Sequence, residues 1–217
     1  MSELKKYCTI KQTGAHELVI KKSRFIASMC RCQTVQDAEA FIEAVKSKYH
    51  DATHNTFAYR VGSNGRQAKA SDNGEPAGTA GVPELKALQL LGLTNVAVVV
   101  TRYFGGIKLG AGGLIRAYSN SVSSAAEAIG IVECIPQQTL SFVVPYSEYG
   151  SVNHYLENAS VIIAQREFGA QVELTILVDA EPNLIKQIEG DLTNLLAGQI
   201  NFKAGPMQYR EQAKRSK

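Results

Sequence analysis

Three polar stretches in the first half of the sequence carry the residue types that could do chemistry. Residues 22–25 read KSRF, residues 71–83 read SDNGEPAGTAGVP, and residues 102–118 read RYFGGIKLGAGGLIRAY. The first and third stretches supply cations beside glycines, a combination suited to binding anions. The second stretch supplies carboxylates, which can take part in acid–base chemistry when a histidine lies nearby.

The glycine-rich part of the third stretch is a candidate anion-binding loop. Five of the nine residues 105–113 are glycine, and they follow an apolar strand and precede a helix. Glycine allows close approach of another backbone, and a helix start exposes unpaired N–H groups. The spacing matches neither the Walker A motif nor the dinucleotide-binding fingerprint, so on spacing alone tight strand–helix packing that needs small residues is the favoured interpretation. The candidate anion-binding residues are Arg24, Arg102, Lys108, Arg116, Gly105, Gly106, Gly110, Gly112 and Gly113.

The second stretch offers candidate catalytic residues. His54, Asp72 and Glu75 could form an acid–base set, since an imidazole and two carboxylates can exchange protons with a substrate. The competing interpretation is structural, because acidic residues often form turns in glycine-rich loops and Thr79 could cap the helix expected at Pro83. The motif residues of this loop are Asp72, Gly74, Glu75, Pro76, Thr79 and Gly81.

The composition is that of an ordinary globular protein. Hydrophobic residues make up 45% of the 217 residues and charged residues 20%. The four cysteines, at positions 8, 30, 32 and 134, lack CxxC or zinc-finger spacing, so we expect reduced thiols, no metal and no cofactor. No apolar run has the length of a signal peptide or a membrane span, so we expect a cytoplasmic protein with no membrane partner.

Positive charge is concentrated before Cys134. The formal net charge is only +3, but Lys and Arg outnumber Asp and Glu by 16 to 11 in residues 1–133. In residues 134–217 the acids lead by nine to seven. A phosphate-binding surface would therefore lie in the first part, although solvated surface lysines give the same count. Nothing indicates sequence-specific DNA binding.

Apolar periodicity predicts an α+β domain over residues 1–133. Thr34 followed by Asp37 is the signature of a capped helix start, and residues 96–103 are so apolar that we expect a strand buried on both faces. The predicted strands cover residues 16–20, 24–32, 56–61, 67–71 and 96–103. The predicted helices cover residues 35–48, a segment from Pro83 and a segment from Leu114 to a stop at Gly130.

A second domain is predicted over residues 134–217. The pattern gives a strand at 139–144, a helix from a Ser147 cap to Asn158, strands at 161–168 and 171–178, a helix from Pro182, and a strand at 200–203. This order is that of the ferredoxin-like arrangement. The polar, basic tail at 209–217 is expected to be frayed.

The polar stretches resemble the motifs of a known family. The segments SDNGEPAGTAGVP, VVVTRYFGGIKLGAGGLIRAY and KSRFIA resemble those of the YigZ/Impact family, over most of residues 22–129. The resemblance implies an N-terminal domain similar to ribosomal protein S5 domain 2 and elongation factor G domain IV. It also implies a ferredoxin-like C-terminal domain similar to elongation factor G domain V. The family usually has a second aspartate where this chain has Asn73, which argues against a metal held by paired aspartates.

The resemblance also implies a role in translation, since the eukaryotic relatives regulate translation under amino-acid starvation through protein partners. We therefore expect a regulatory factor that binds RNA or the ribosome through its N-terminal domain. The cations named above would contact phosphates, and Tyr103 and Tyr118 could stack on bases. Two alternatives stay open: an enzyme acting on a small phosphorylated or peptide substrate, and a protein-binding regulatory module.

Overall fold

A computed structural model describes residues 4–62, 64–159 and 161–214 of the protein. The strands are β1 (Tyr7–Ile10), β2 (Gly14–Ile20), β3 (Ser23–Arg31), β4 (His54–Val61), β5 (Gln67–Ser71), β6 (Val96–Tyr103), β7 (Ile131–Val144), β8 (Ile162–Phe168), β9 (Val172–Asp179) and β10 (Lys203–Ala213). The helices are α1 (Val35–Lys48), α2 (Gly81–Leu90), α3 (Ala111–Ile129), α4 (Tyr146–Asn158) and α5 (Pro182–Leu195). Strands and helices are mixed along the chain, so the predicted α+β class is confirmed.

The chain forms two compact units. The N-terminal unit comprises residues 6–134 together with the chain from Gln212 onward, and the C-terminal unit comprises residues 135–211 together with the chain up to Lys5. Within the described ranges, no helix combines the length and apolarity needed to cross a membrane.

The N-terminal unit is built on an antiparallel sheet with strand order β2-β3-β6-β4-β5. Its central strand β6 is buried on both faces, as its apolar sequence predicts. Val98 and Val100 belong to a core shared with helices α2 and α3, whereas Ala97 and Val99 belong to a core shared with α1. Helices therefore cover both faces of the sheet, and the segment after β6 leads directly into α3.

The C-terminal unit has the ferredoxin-like order that the sequence predicts. Strand β10 pairs with β7, β7 pairs with β9, and β9 pairs with β8, which places the four strands in the order β10-β7-β9-β8. Apolar side chains of α4 and α5 pack with those of β7 and β9 in a single core. The long strand β7 has two pairing segments. Residues from Gln137 onward pair with β9, whereas the first residues of β7 pair with β1, where Tyr7 lies opposite Cys134.

Several local predictions are confirmed. Thr34 and Asp37 form the complete capping box at the start of α1, because each side chain accepts a hydrogen bond from the other's backbone N–H. Gly130 ends α3 with a positive φ of 89°, and Pro182 occupies the first turn of α5.

Other local predictions are wrong. Helix α4 begins at Tyr146, one residue before the predicted Ser147 cap, and no side chain caps it. The predicted strand at 200–203 is replaced by β10, which runs through residues 209–213 of the supposedly frayed tail. Strand β10 is mostly exposed and therefore lacks the apolar alternation that marks a half-buried strand. Residues 215–217 of the predicted tail lie outside the described residues.

Candidate functional site

The first and third polar stretches meet through strand pairing. Arg24 lies opposite Tyr103 in the β3–β6 ladder, and the Gly105 N–H donates to Ser23 Oγ at 3.1 Å. A Cβ added at Gly105 would lie 2.1 Å from the carbonyl carbon of Lys22, which no side chain can accommodate. The β2–β3 turn and the β6–α3 loop are therefore in backbone contact, and glycine at position 105 is required for that contact.

The second stretch joins the other two through a buried carboxylate. Glu75 Oε1 accepts hydrogen bonds from Arg102 Nη1 at 2.5 Å and from the Tyr118 hydroxyl at 2.7 Å. The Arg102 guanidinium lies between two aromatic rings, 5.3 Å from the centroid of Phe25 and 5.5 Å from that of Phe104. The Glu75 and Arg102 side chains are 3% and 6% exposed, so this pair is removed from solvent.

The proposed acid–base residues have protein partners. His54 Nδ1 lies 3.2 Å from the Asn73 carbonyl oxygen, while His54 Nε2 lies 3.9 Å from Glu75 Oε1, beyond hydrogen-bond distance. Burial, followed by the hydrogen bond to Glu75, raises the pKa of Tyr118 well above its ordinary value. His54 and Glu75 thus lie near each other, but the Glu75 carboxylate serves the protein interior rather than an open surface.

Asp72 organises the loop before α2. Its carboxylate accepts N–H bonds from Gly78 at 2.8 Å, Ala80 at 3.0 Å and Gly81 at 2.9 Å. Burial by itself raises the Asp72 pKa, but these three N–H groups outweigh it and hold that pKa below the ordinary value. Asp72 therefore supplies the helix cap that the sequence assigned to Thr79.

Thr79 has a different role, so the predicted cap is wrong. The Thr79 hydroxyl donates to the Pro76 carbonyl oxygen at 2.6 Å, within the loop. The N-cap residue of α2 is Ala80, whose side chain makes no capping hydrogen bond. Gly74 takes a positive φ of 89°, and Gly81 packs against the Ser71 backbone so closely that an added Cβ would lie 2.6 Å from its nitrogen.

Asn73 has its own hydrogen bond in this loop. Its side-chain amide nitrogen donates to the Asn55 carbonyl oxygen at 2.8 Å. A carboxylate at position 73 could not donate there, so the asparagine has a specific structural use in this chain. Among the described residues, no group of three or more His, Cys, Asp or Glu side chains is placed to hold a metal ion.

The buried residue Glu84 was missed by sequence reasoning. Its side chain on α2 is fully buried, Oε1 is hydrogen-bonded to the Thr56 hydroxyl, and Oε2 has no partner among the described residues. Burial raises the pKa of Glu84 well above the ordinary value. Thr56 also donates to the Val100 carbonyl oxygen at 3.2 Å, so a protonated Glu84 can donate to Thr56 in turn. Its place on the buried side of α2, beside Ala87 and Leu88, is the sequence signal that could have revealed it.

The four predicted phosphate-binding cations divide into two pairs. Arg24 forms a two-point ion pair with Glu17, with both N–O distances at 3.0 Å, and Arg102 is buried against Glu75. Lys108 and Arg116 are exposed and form no ion pair within the described residues. Only this second pair has its charge available to an external anion.

Lys108 and Arg116 adjoin the glycine-rich start of α3. Gly110 is the N-cap residue with a positive φ of 72°, no side chain caps the helix, and no acidic residue occupies its first turn. The free N–H groups of that turn and the helix dipole favour negative charge. Gly106 and Gly112 have open surroundings, with Arg116 Nη1 3.8 Å from a Cβ added at Gly112. Gly113 instead packs against Leu109, whose Cβ would lie 3.1 Å from an added Cβ.

The two predicted stacking tyrosines are not equivalent. Tyr118 is fully buried and makes an edge contact with Phe25, with ring centroids 5.4 Å apart. Tyr103 is half-buried, donates its hydroxyl to Asp51 at 2.8 Å, and has the Arg24 guanidinium over its ring. Tyr118 therefore belongs to the core, where no base could reach it.

Comparison with known proteins identifies both parts of the chain. The Impact N-terminal domain matches residues 21–126, and a domain of unknown function, DUF1949, matches residues 142–199. The chain is 42% identical over 211 residues to the IMPACT family member YvyE of Bacillus subtilis, covering 97% of this chain and 96% of that protein. The chain belongs to the Impact family.

Other Impact family relatives agree. IMPACT family member YigZ of Escherichia coli is 35% identical over 163 residues, covering 74% of this chain and 80% of YigZ. The crystal structure of a hypothetical protein is similar with a TM-score of 0.59 and 29% identity, covering 94% of this chain and 99% of that one. The predicted fold is confirmed: an N-terminal domain of the ribosomal protein S5 domain 2-like type followed by a ferredoxin-like domain.

The Impact N-terminal domain match contains the whole candidate site. It also contains three exposed apolar side chains next to the exposed cations: Phe104 is 46% exposed, Ile107 41% and Ile115 42%. The loop after β6 and the first turns of α3 thus present cations, glycine backbone and apolar groups to solvent. This combination can contact a charged, partly apolar polymer.

Proposed function

We propose that this Impact family protein is a translation-related regulatory factor that binds RNA or the ribosome through the N-terminal unit. The binding surface, here called the basic face, comprises Lys21, Lys22, Lys108 and Arg116. The observation that carries the proposal is that all four side chains are exposed and free of ion pairs within the described residues. Such a partner would place the protein in the cytoplasm.

Backbone contacts hold the basic face together. Gly105 packs directly on Lys22, which brings the β2–β3 turn beside the loop that carries Lys108. Lys21 and Arg116 line one surface depression. Exposed cations that are not neutralised by ion pairs create the positive potential that attracts a nucleic-acid backbone.

The C-terminal unit is a weaker candidate for RNA binding. Its sheet places Glu167 directly opposite Glu173, and Glu173 directly opposite Val143. All three side chains are exposed. Sheets of this type that bind RNA present aromatic residues for base stacking, and adjacent carboxylates would repel phosphate. The charge distribution therefore favours the N-terminal unit.

Ribosome co-sedimentation tests the proposal. We expect the purified protein to pellet with ribosomes at low salt and to be released as salt is raised, because phosphate contacts are salt-dependent. The Lys108→Gln/Arg116→Gln variant should pellet less. A matched control, Lys11→Gln/Lys48→Gln, removes two exposed lysines elsewhere and should pellet like the wild type. Absence of wild-type protein from the pellet at low salt, with no binding to free RNA, would refute the proposal.

Binding to a protein is the second candidate function. The exposed side chains of Phe104, Ile107 and Ile115 favour it, because exposed apolar groups are typical of protein interfaces. Nuclease treatment separates the two functions. If a captured ribosomal component is lost after nuclease treatment, RNA binding is supported. If a captured protein is retained after nuclease treatment and the Ile107→Ser variant no longer captures that protein, protein binding is supported.

A further inference from the structure

A small depression lies between the β2–β3 turn and one side of helix α3. Its volume is about 230 Å³. Ligand pockets for whole drug-sized molecules start at roughly 300 Å³, so this depression fits a smaller group. It is lined by Ile20, Lys21, Leu109, Gly113, Arg116, Ala117 and Asn120.

The polar groups that line the depression are all of the kind that bind anions. Lys21 and Arg116 approach it from the turn and from the helix, and Asn120 adds a side-chain amide one turn beyond Arg116. All three side chains are exposed, and no acidic residue is among the lining residues. A guanidinium can donate two parallel hydrogen bonds to one phosphate, and an ammonium adds a point charge.

The turn that carries Lys21 is held in a conformation that lysine rarely adopts. Lys21 and Lys22 have positive φ angles of 45° and 66°, and they link Ile20 to Ser23 in a two-residue hairpin. Asparagine and glycine are the usual residues in such a turn, because other side chains are strained there. The turn nevertheless carries two lysines, and both of their side chains are exposed.

We propose that one phosphate group of an RNA backbone binds in this depression between Lys21 and Arg116, with Asn120 donating a hydrogen bond. The inference rests on the proposed function and assigns it a specific subsite. Ile20, Leu109 and Ala117 form apolar walls that can contact the attached ribose. A phosphodiester needs no proton or bond change to bind, so the site is one of recognition and not of reaction.

Substitution Asn120→Asp tests the subsite with little change of shape. It replaces a donor with a carboxylate that faces the bound phosphate, so affinity for a fluorescent single-stranded RNA should fall about tenfold or more. The control Asn201→Asp adds the same charge at an exposed position of the C-terminal unit and should bind RNA like the wild type. Circular dichroism and the unfolding midpoint verify that both variants are folded.

A second measurement distinguishes RNA from free phosphate as the source of the ligand. Inorganic phosphate is titrated into wild-type protein while the amide resonances of Gly113 and Asn120 are followed by NMR. If the wild type binds RNA and Asn120→Asp binds it equally well, the subsite is overturned while the proposed function stands. If the wild type binds neither free RNA nor ribosomes at low salt, the proposed function fails too. Resonance shifts with inorganic phosphate in that case would assign the depression to a free ion instead of RNA.

Discussion

The buried pair between Arg102 and Glu75 should contribute strongly to stability. Replacing Arg102 with Met keeps most of the side-chain volume but removes the cation that pairs with Glu75. The Glu75 side chain is only 3% exposed, and among the described residues its carboxylate keeps only the hydrogen bond from the Tyr118 hydroxyl. Removing one partner of a buried ion pair costs about 3–5 kcal/mol, because the remaining charge stays desolvated. We expect Arg102→Met to lower the free energy of unfolding by about that amount.

Urea unfolding followed by circular dichroism measures this loss. The double variant Arg102→Met/Glu75→Leu should recover part of the stability, since replacing both charges by apolar groups removes the unpaired carboxylate. The control Arg24→Met breaks the exposed pair with Glu17 and should leave the midpoint close to that of the wild type. A loss below about 1 kcal/mol in Arg102→Met would show that the pair does not hold the three polar stretches together.

Three further perturbations have defined outcomes. Because the folded pKa of Glu84 is raised, its contribution to stability is fully present below the ordinary carboxyl pKa and is lost as pH rises from there through the folded pKa. Glu84→Gln should therefore lose less stability than the wild type as pH rises above the ordinary carboxyl pKa in thermal unfolding, and equal pH profiles would contradict this. Gly105→Ala should destabilise by about 3 kcal/mol or more in urea unfolding, because its Cβ would overlap the Lys22 backbone; a wild-type midpoint would contradict the close contact. Asp72→Ala should cost about 1–2 kcal/mol by removing the acceptor for three N–H groups, and Asp72→Asn should cost less; equal losses would contradict a capping role.

Much of the fold could be predicted because its signals are local. The Thr34 capping box, the Pro182 helix start and the apolar strand β6 each depend on neighbouring residues, and each is confirmed. Strand β10 could not be predicted, because it is exposed along most of its length and is fixed by pairing with β7. Pairing between distant segments leaves little trace in an exposed strand's own sequence.

The candidate site was only partly predictable for the same physical reason. The glycine spacing indicated a loop that another backbone approaches, but it could not identify Lys22 as the neighbour of Gly105. The residue type of Arg102 indicated a phosphate contact, whereas its position on the doubly covered strand β6 places it against Glu75. Charge alone cannot separate a cation that serves the core from one that faces solvent.

The salt dependence of RNA binding tests the basic face most directly. Fluorescence anisotropy with a single-stranded RNA at several salt concentrations gives the slope of log affinity against log salt, which changes by about 0.7 for each phosphate contact. We predict that Lys108→Gln/Arg116→Gln flattens the slope by about 1.4, while Lys11→Gln/Lys48→Gln leaves it unchanged. Equal slopes for the two double variants, or no wild-type binding at low salt, would contradict the account.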